Sequence, residues 1–334
     1  MTSVFKTIYP AFLWFIALGP VYAAETKLVE EQALEIKKIK KGNYLVDFGK
    51  VTFGNVMIKT PKSHGLSLKI HYGENLVNGR INRKPPGTVR YKKTLLEMKA
   101  GEQKVASPSP DKRNTNIKKN AVLTPAEWGV ILPFRWIEIE GWKGPLTPDH
   151  IVRRSAYLST WKDDAASFEC SDATLNQIWK LCQHSLKATT FAGIYVDGDR
   201  ERIPYEADAY LNQLSHYYTD YDVQMARDTF DYLIAHPTWP TEWASHMVFM
   251  AYADWIHTGD KEQVARIYET LEPKLLLDKV NEDGLVKSNA RDIRKNDIVD
   301  WPKTERDGYV FTPINTVVNA FQIRTLYLLS LIHI

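Results

Sequence analysis

This 334-residue sequence is poor in cysteine and carries no metal or nucleotide motif. Its two cysteines, Cys170 and Cys182, and its nine scattered histidines show none of the spacings of metal sites. It contains neither a glycine-rich phosphate loop nor a Gly-x-Ser-x-Gly turn. If both cysteines lie on one helix, they are roughly 18 Å apart at about 1.5 Å per residue, too far for a disulfide. We therefore expect no cofactor and two buried free thiols.

A large excess of charge is also missing, as is any apolar run long enough to cross a membrane. The chain has 43 basic and 40 acidic residues, a balance that argues against nucleic acid or a strongly acidic polymer as a partner. The apolar run at residues 8–20 is too short for a spanning helix. With Lys6 before it and Val21-Tyr22-Ala23 after it, this run predicts a signal peptide over residues 1–23. We therefore expect a secreted or periplasmic protein without a membrane anchor after cleavage.

The first half of the chain alternates between apolar and polar residues. Leu66, Leu68, Ile70 and Tyr72 give the clearest period of two, which is typical of a strand with one buried face. Strands are predicted at residues 44–48, 51–58, 66–72, 88–98, 130–142 and 151–159. Because no helix separates them, they indicate an antiparallel β-sandwich, which we assign to an accessory domain at residues 24–165. Residues 101–120 have almost no apolar side chains and are predicted to form an exposed loop.

From residue 166 onward the apolar period changes to that of helices. One predicted helix has Ser171 or Asp172 as its N-cap. Its apolar face is formed by Leu175, Ile178, Trp179, Cys182 and Leu186. Further helices are predicted at residues 205–218, 223–235, 242–257, 261–275 and 314–329. The polar connection at residues 278–307 is long, and such loops are usually functional or disordered.

The most informative segment runs from Asp197 to Asp208 and holds five carboxylates and two arginines. Crowded carboxylates raise one another's pKa, so that one can stay protonated near neutral pH and act as a general acid. Because Pro204 favours extended backbone before it, we expect Asp197, Asp199 and Glu201 to share one face. We interpret the segment as a functional acidic site. The alternatives are a structural ion-pair network and a calcium site that uses Asp197 and Asp199.

This segment resembles the acid-bearing motif of the bacterial α-L-rhamnosidases, glycoside hydrolase family 78, which reads Asp-Cys-Pro-x-Arg-Glu-Arg-x-x-Trp-x-x-Asp. When the two are aligned on the Arg-Glu-Arg triplet, the family's general-acid glutamate falls on Glu201 and its last aspartate on Asp208. The aromatic residue that contacts the sugar falls on Tyr205 instead of tryptophan. Asp197 lies one position after the place of the family's first aspartate, which is Val196. Further segments that resemble the family in the same order are residues 47–49, 72–74, 133–141, 168–179, 300–302 and 307–308.

The resemblance implies a β-sandwich followed by an incomplete (α/α)6 barrel, with residues 166–334 as the N-terminal half of a truncated catalytic domain. It implies an inverting hydrolase that releases terminal α-L-rhamnose from glycosides or polysaccharides, with Glu201 as the general acid. The family's catalytic base lies in the second half of the barrel, so we expect the fragment itself to be inactive. The candidate substrate-binding residues are Asp197, Arg200, Arg202, Tyr205, Asp208, Trp239, Glu242, Trp243, Asp300 and Trp301.

Several alternatives stay open at this point. A purely structural pairing is an equal alternative for Arg200 and Arg202, and Trp239 and Trp243 could pack in the interior instead of lining a pocket. The fragment could bind carbohydrate without cleaving it. It could also belong to a hydrolase with the same helical barrel that acts on another sugar.

Overall fold

The computed structural model describes residues 23–112 and 121–333, and the first half of this chain consists of β-strands. The strands are β1 Thr26–Gln32, β2 Glu35–Lys40, β3 Asn43–Lys59, β4 Leu66–Gly73, β5 Leu76–Val77, β6 Arg80–Ile81, β7 Tyr91–Met98, β8 Gln103–Ala106, β9 Leu132–Glu140 and β10 Ile151–Leu158. All six predicted strands are present, and the first two of them join into the single strand β3. Most of residues 1–23, the predicted signal peptide, lie outside the described residues.

Eight strands form one antiparallel sheet in the order β1-β10-β3-β9-β4-β7, and β2 and β8 add to β3. The pairing of β3 with β9 shifts between Asp47 and Thr52. The first half of β3 therefore pairs with β2, and the second half pairs with β8 and β10. The apolar faces of these strands enclose one core that contains Val56, Ile70 and Ile137, each of them fully buried. The predicted antiparallel β architecture is confirmed.

The sequence prediction misses β1, β2 and β8 because charged and other polar residues make up half or more of each strand. β2, for example, has four charged residues among its six, and only its two isoleucines are partly buried. The prediction of an exposed loop at residues 101–120 is wrong at β8, where Ala106 is fully buried opposite Val56. Backbone pairing with β3 and this one buried side chain are sufficient to order the strand. Residues 113–120 of that predicted loop lie outside the described residues.

Six α-helices follow in the described part of the chain. They are α1 Ala173–Thr189, α2 Glu206–Tyr217, α3 Gln224–Ala235, α4 His246–Thr258, α5 Lys261–Leu271 and α6 Thr316–His333. α4 packs between α2 and α6, whereas α3 packs against α2 and α4, and α5 packs against α4. The helices therefore alternate between an outer layer (α1, α3, α5) and an inner layer (α2, α4, α6), as helical hairpins do. Within the described ranges, no helix combines the length and the apolar composition that a membrane crossing requires.

Helix α1 begins as predicted but buries little of its predicted apolar face. The Asp172 carboxylate accepts hydrogen bonds from the backbone N–H groups of Thr174 and Leu175, at 2.7 and 3.4 Å, and so caps the helix. The predicted apolar face is largely exposed, because α1 contacts β3 and β10 mainly through its C-terminal half. The prediction of two buried thiols is wrong, since Cys182 is exposed and Cys170 is only half-buried; both are free.

The long connections between the helices meet at one end of the helical layer. Loop A (residues 190–205), loop B (236–245) and loop C (272–315) each lead from an outer helix into an inner one. The connections from an inner helix to the next outer one, at residues 218–223 and 259–260, are short. Loops A, B and C contain every predicted site residue except Asp208, which lies in the first turn of α2. The alternation of long and short connections therefore brings those residues to the same end of the domain.

Candidate active site

Loop A makes a closed turn at the acidic run. The Asp197 N–H donates to the Ile203 carbonyl at 3.1 Å, and the Ile203 N–H donates to Asp197 Oδ1 at 3.2 Å. Gly198 and Arg202 adopt positive φ angles of 83° and 56°. The prediction of an extended segment with three acids on one face is wrong, because these two left-handed residues turn the chain between Asp197 and Ile203. Glycine adopts such a conformation without strain, but arginine does not.

One face of this turn, formed by Asp199 and Arg202, points into the protein toward the β-strands. Arg202 is 1% exposed, and its Nη2 donates to Asp199 Oδ1 at 2.7 Å and to the Ile131 carbonyl at 2.8 Å. Its guanidinium lies 5.3 Å from the ring centre of Phe191. Burial lowers the pKa of Arg202, and the charge of Asp199 opposes this effect. Arg202 thus makes the structural pairing that the sequence offers as the alternative to substrate binding.

The other face of the turn carries Asp197, Arg200 and Glu201. Arg200 Nε lies 3.3 Å from Asp197 Oδ2 and 3.9 Å from Glu201 Oε1, so one half-exposed cation serves two carboxylates. Burial raises the pKa of Asp197, whereas the backbone N–H of Ile203 and the charge of Arg200 act in the opposite direction. The Glu201 side chain keeps 26% of its surface exposed. It is therefore the carboxylate of this turn that is most open to a ligand.

Aromatic side chains surround Glu201. The Tyr205 hydroxyl donates a hydrogen bond to Glu201 Oε2. Burial, followed by the hydrogen bond to Glu201 and the charge of that carboxylate, raises the pKa of Tyr205 well above its usual range, so the phenol stays protonated. The Tyr205 ring meets Trp239 and Trp243 edge to face, at centroid distances of 5.9 and 5.7 Å. The structure therefore brings both tryptophans of loop B beside Glu201, and Trp239 is half-exposed.

A cavity of about 400 Å³ opens beside Glu201, between loop A, loop B and the end of α3. Its walls include Glu201, Tyr205, Tyr232, His236, Thr238 and Trp239. Tyr232 and His236 stack at 4.5 Å and are absent from the sequence prediction. Their i, i+4 spacing where α3 ends and loop B begins is a signal that could have identified them. The cavity combines one accessible carboxylate with flat aromatic walls.

Asp208 lies at the start of α2, where it is partly buried. Burial raises its pKa, the charge of Arg200 lowers it and the charge of Glu206 raises it further. The neighbouring Glu206 is 2% exposed and accepts hydrogen bonds from the N–H of Thr238, at 2.8 Å, and from the Thr238 hydroxyl. Glu206 therefore fixes loop B to the start of α2, a role that the sequence does not reveal.

Glu242 connects loop B to loop C. It is 1% exposed, and its Oε1 accepts hydrogen bonds from the N–H groups of Ile298, at 3.1 Å, and Val299. Val299 has a φ of 59°, a strained conformation for a β-branched residue. Burial is also the main cause that raises the pKa of Glu242. The structure thus gives Glu242 a part in holding loop C, and the sequence prediction placed it among the residues that contact the substrate.

Asp300 and Trp301 follow this anchored segment at the surface of loop C. Trp301 is 56% exposed, and its N–H donates to Asp300 Oδ1 at 2.7 Å. Neither residue is in the wall of the cavity beside Glu201. The structure brings them to the same end of the domain but not into contact with the general-acid candidate.

The described residues include no group of three or more histidine, cysteine, aspartate or glutamate side chains arranged to hold a metal ion. Asp199, one of the two aspartates considered for calcium, forms ion pairs with Arg90 and Arg202. Asp197 faces Arg200 instead. The two carboxylates therefore have different partners and do not converge on one point.

Comparison with known proteins covers both halves of the chain. The family model for the bacterial α-L-rhamnosidase concanavalin-like domain matches residues 37–157, and the model for the six-hairpin glycosidase domain of the same enzymes matches residues 163–333. No curated protein matches.

Among solved structures, an α-L-rhamnosidase of Streptomyces avermitilis in complex with L-rhamnose is similar, with a TM-score of 0.67 and 15% identity over 93% of this chain and 29% of that one. An α-L-rhamnosidase of Dictyoglumus thermophilum gives a TM-score of 0.66 and 17% identity over 93% of this chain and 34% of that one. A rhamnosidase of Klebsiella oxytoca with rhamnose bound gives a TM-score of 0.64 and 12% identity over 93% of this chain and 66% of that one. The chain thus spans between 29 and 66% of the length of these three proteins.

These structural similarities, at low identity, support the fold: a concanavalin-like antiparallel β-domain followed by helical hairpins. The family models match on sequence, and the six-hairpin model alone covers more than half of the 334 residues. The chain belongs to the bacterial α-L-rhamnosidase family.

Proposed function

We propose that the end of the helical domain that carries loops A, B and C is the rhamnose-binding site of an inverting α-L-rhamnosidase, with Glu201 as its general acid. The observation that carries this proposal is the position of Glu201. It is the accessible carboxylate in the wall of a cavity of about 400 Å³ that is otherwise lined largely by aromatic side chains. Pyranose rings present apolar C–H faces, and rhamnose adds a methyl group, so aromatic walls suit this ligand.

In the proposed reaction, Glu201 gives its proton to the leaving-group oxygen as the bond from that oxygen to the anomeric carbon breaks. A second carboxylate takes a proton from water, and that water attacks the anomeric carbon from the opposite face. Glu206 and Glu242 are poor candidates for this base, because both are almost fully buried and accept backbone hydrogen bonds. The described residues therefore hold the acid side of the site, and we assign no base among them.

Asp197, Arg200 and Asp208 are proposed to bind the hydroxyl groups of the sugar. Arg200 contacts Asp197 on the face of the turn that carries Glu201, and its charge acts to lower the pKa of Asp208 at the start of α2. Trp239 and Trp243 are proposed to contact the apolar side of the ligand through the cluster that they form with Tyr205. Asp300 and Trp301 are proposed to approach a longer substrate at its distal end.

Three further parts of the proposal rest on the sequence. They are the division into residues 1–23, 24–165 and 166–334, the export of the protein through its N-terminal segment, and a rhamnose-containing glycan or glycoside as the natural substrate. The change from β10, which ends at Leu158, to α1, which begins at Ala173, is consistent with the second boundary.

Saturation-transfer NMR on this chain tests the proposal. We expect L-rhamnose to receive magnetisation from the protein and to lose it in Asp208→Asn, while the control Asp164→Asn, at an exposed position outside the site, behaves as wild type. D-Glucose and L-fucose serve as competitors. Equal competition by all three sugars would indicate a hydrolase for another sugar or a general carbohydrate-binding fragment. The absence of any sugar signal would refute the proposal.

A further inference from the structure

The turn that carries Glu201 is held from the side of the β-domain. Arg90, the residue directly before β7, forms an ion pair between its Nε and Asp199 Oδ2. The N–H of Val122 donates to the Arg202 carbonyl at 2.8 Å, and Arg202 Nη2 donates to the Ile131 carbonyl at 2.8 Å. Residues 90, 122 and 131 of the β-domain therefore all hold one short turn of the helical domain.

These contacts lie in the interior. Arg90, Asp199 and Arg202 are 7, 9 and 1% exposed, so their charges are shielded from water and depend on one another. Asp199 is the centre of the arrangement because its two carboxylate oxygens face different guanidinium groups, Oδ2 that of Arg90 and Oδ1 that of Arg202. Arg90 has a second carboxylate partner in Asp111, at 3.1 Å. The position of Arg90 is thereby fixed within the β-domain itself.

The backbone of the turn needs such support. Arg202 has a φ of 56°, and the left-handed conformation is unfavourable for a residue with a side chain. The ion pair with Asp199 and the packing of Arg202 against Phe191 and Phe53 offset this cost only while Asp199 stays in place. Glu201 lies between Asp199 and Arg202 in the chain, so its direction follows from theirs.

We propose that Arg90 of the β-domain, acting through Asp199, is a positioning residue for Glu201. The β-domain would then be a structural part of the catalytic site and not only an accessory module. The proposal rests on the function proposed above as far as turnover is concerned. Its structural content, that Arg90 holds the turn at residues 197–203, does not depend on that function.

Hydrogen exchange followed by mass spectrometry tests the structural content directly. In Arg90→Ala we expect the amides of the peptide that contains residues 197–203 to exchange at least about tenfold faster than in wild type, because the hydrogen bonds between Asp197 and Ile203 open more often. Peptides from α3 to α5 should not change. Arg90→Lys keeps the charge and should restore most of the protection.

Arg135→Ala is the matched control. Arg135 is also a β-domain arginine paired with an aspartate, Asp47 at 2.7 Å, but this pair does not contact the turn. It should leave the exchange of residues 197–203 unchanged. Unchanged exchange in Arg90→Ala would overturn the proposal. Faster exchange throughout the helical domain would also overturn it, since Arg90 would then support the fold in general.

Turnover by the full-length natural protein supplies the second measurement. A misplacement of about 1 Å can lower a rate by roughly 100-fold, so we expect Arg90→Ala to lower kcat between about 10- and 100-fold while KM changes less than about threefold, and Arg90→Lys to recover much of the loss. A change in KM alone would contradict the positioning role. If wild type hydrolyses no rhamnoside, the proposed function fails, and the exchange experiment still decides whether Arg90 holds the turn.

Discussion

Asp197 and Asp199 lie two residues apart and are almost equally buried, with side chains 4 and 7% exposed, yet the structure treats them differently. Asp199 faces the β-domain between two buried guanidinium groups. Asp197 lies on the opposite face of the turn, where it faces the half-exposed Arg200, and burial raises its pKa. The two carboxylates therefore differ in their partners and not in their burial. Asp199 has two buried guanidinium groups, one of them from the distant Arg90, whereas Asp197 has the half-exposed Arg200 three residues away.

The largest expected effect is on turnover, because Glu201 lies on the face of the turn that is open to a ligand. We predict that Glu201→Gln lowers the turnover of an aryl α-L-rhamnoside by the full-length natural protein by roughly 100- to 10,000-fold, the contribution typical of a general acid. Glutamine can still accept the Tyr205 hydrogen bond, so the free energy of unfolding should change by less than about 0.5 kcal/mol. Steady-state kinetics and urea unfolding measure the two quantities.

Glu282→Gln is the control for this prediction, because Glu282 is exposed and lies outside the cavity. It should leave turnover unchanged. Near-normal turnover in Glu201→Gln would show that Glu201 is not the general acid. A large loss of stability in that variant would contradict the assignment of Glu201 to the open face of the turn, and its turnover would then not report on the chemical step.

Substitutions on the other face of the turn, formed by Asp199 and Arg202, should change the free energy of unfolding. We predict that Asp199→Ala lowers the free energy of unfolding by about 3–5 kcal/mol, since the loss of one partner leaves the buried Arg202 charge uncompensated. Urea unfolding followed by tryptophan fluorescence measures the change, with the exposed Asp164→Ala as the control. If the two variants unfold alike, the network of Arg90, Asp199 and Arg202 does not stabilise the protein.

The sequence was sufficient for those features that depend on local order. The period of two in β4 and the cap of α1 by Asp172 are both properties of neighbouring residues, and both are confirmed. The motif around Glu201 predicted the family for a similar reason, because the order of the residues carries it. Regular elements and short motifs are therefore the part of this protein that a single sequence can provide.

What the sequence could not provide depends on contacts between distant segments. The extended alternation expected for residues 197–201 fails because Gly198 and Arg202 turn the chain and because Arg202 finds its acceptor at Ile131. Nothing in the run itself indicates Arg90 as the partner of Asp199. The exposed face of α1 has the same cause, since helical periodicity identifies an apolar face but not what covers it.

The smallest predicted effect concerns Asp208, a carboxylate in the first turn of α2 whose pKa is raised mainly by burial. A raised folded-state pKa means that folding favours the protonated acid: the resulting stabilisation is complete below the unfolded-state pKa and is lost as the pH rises through the folded-state value. At pH 7 the ionised Asp208 should therefore destabilise the fold. Asp208→Asn stays neutral, so we expect it to be more stable than wild type at pH 7 by about 0.5–2 kcal/mol, the range common for single stabilising substitutions.

Urea unfolding at pH 4 and pH 7 measures this effect, and the advantage of Asp208→Asn should be smaller at pH 4, where wild type is closer to the neutral form. Asp199→Asn provides the contrast on the inner face, since it loses a charge that two guanidinium groups require and should be less stable than wild type at pH 7. An Asp208→Asn protein that gains stability but no longer binds L-rhamnose would show that the charge at residue 208 is needed for ligand binding and destabilises the folded protein. A loss of stability at pH 7 in that variant would instead place Asp208 with Asp199, as a structural carboxylate.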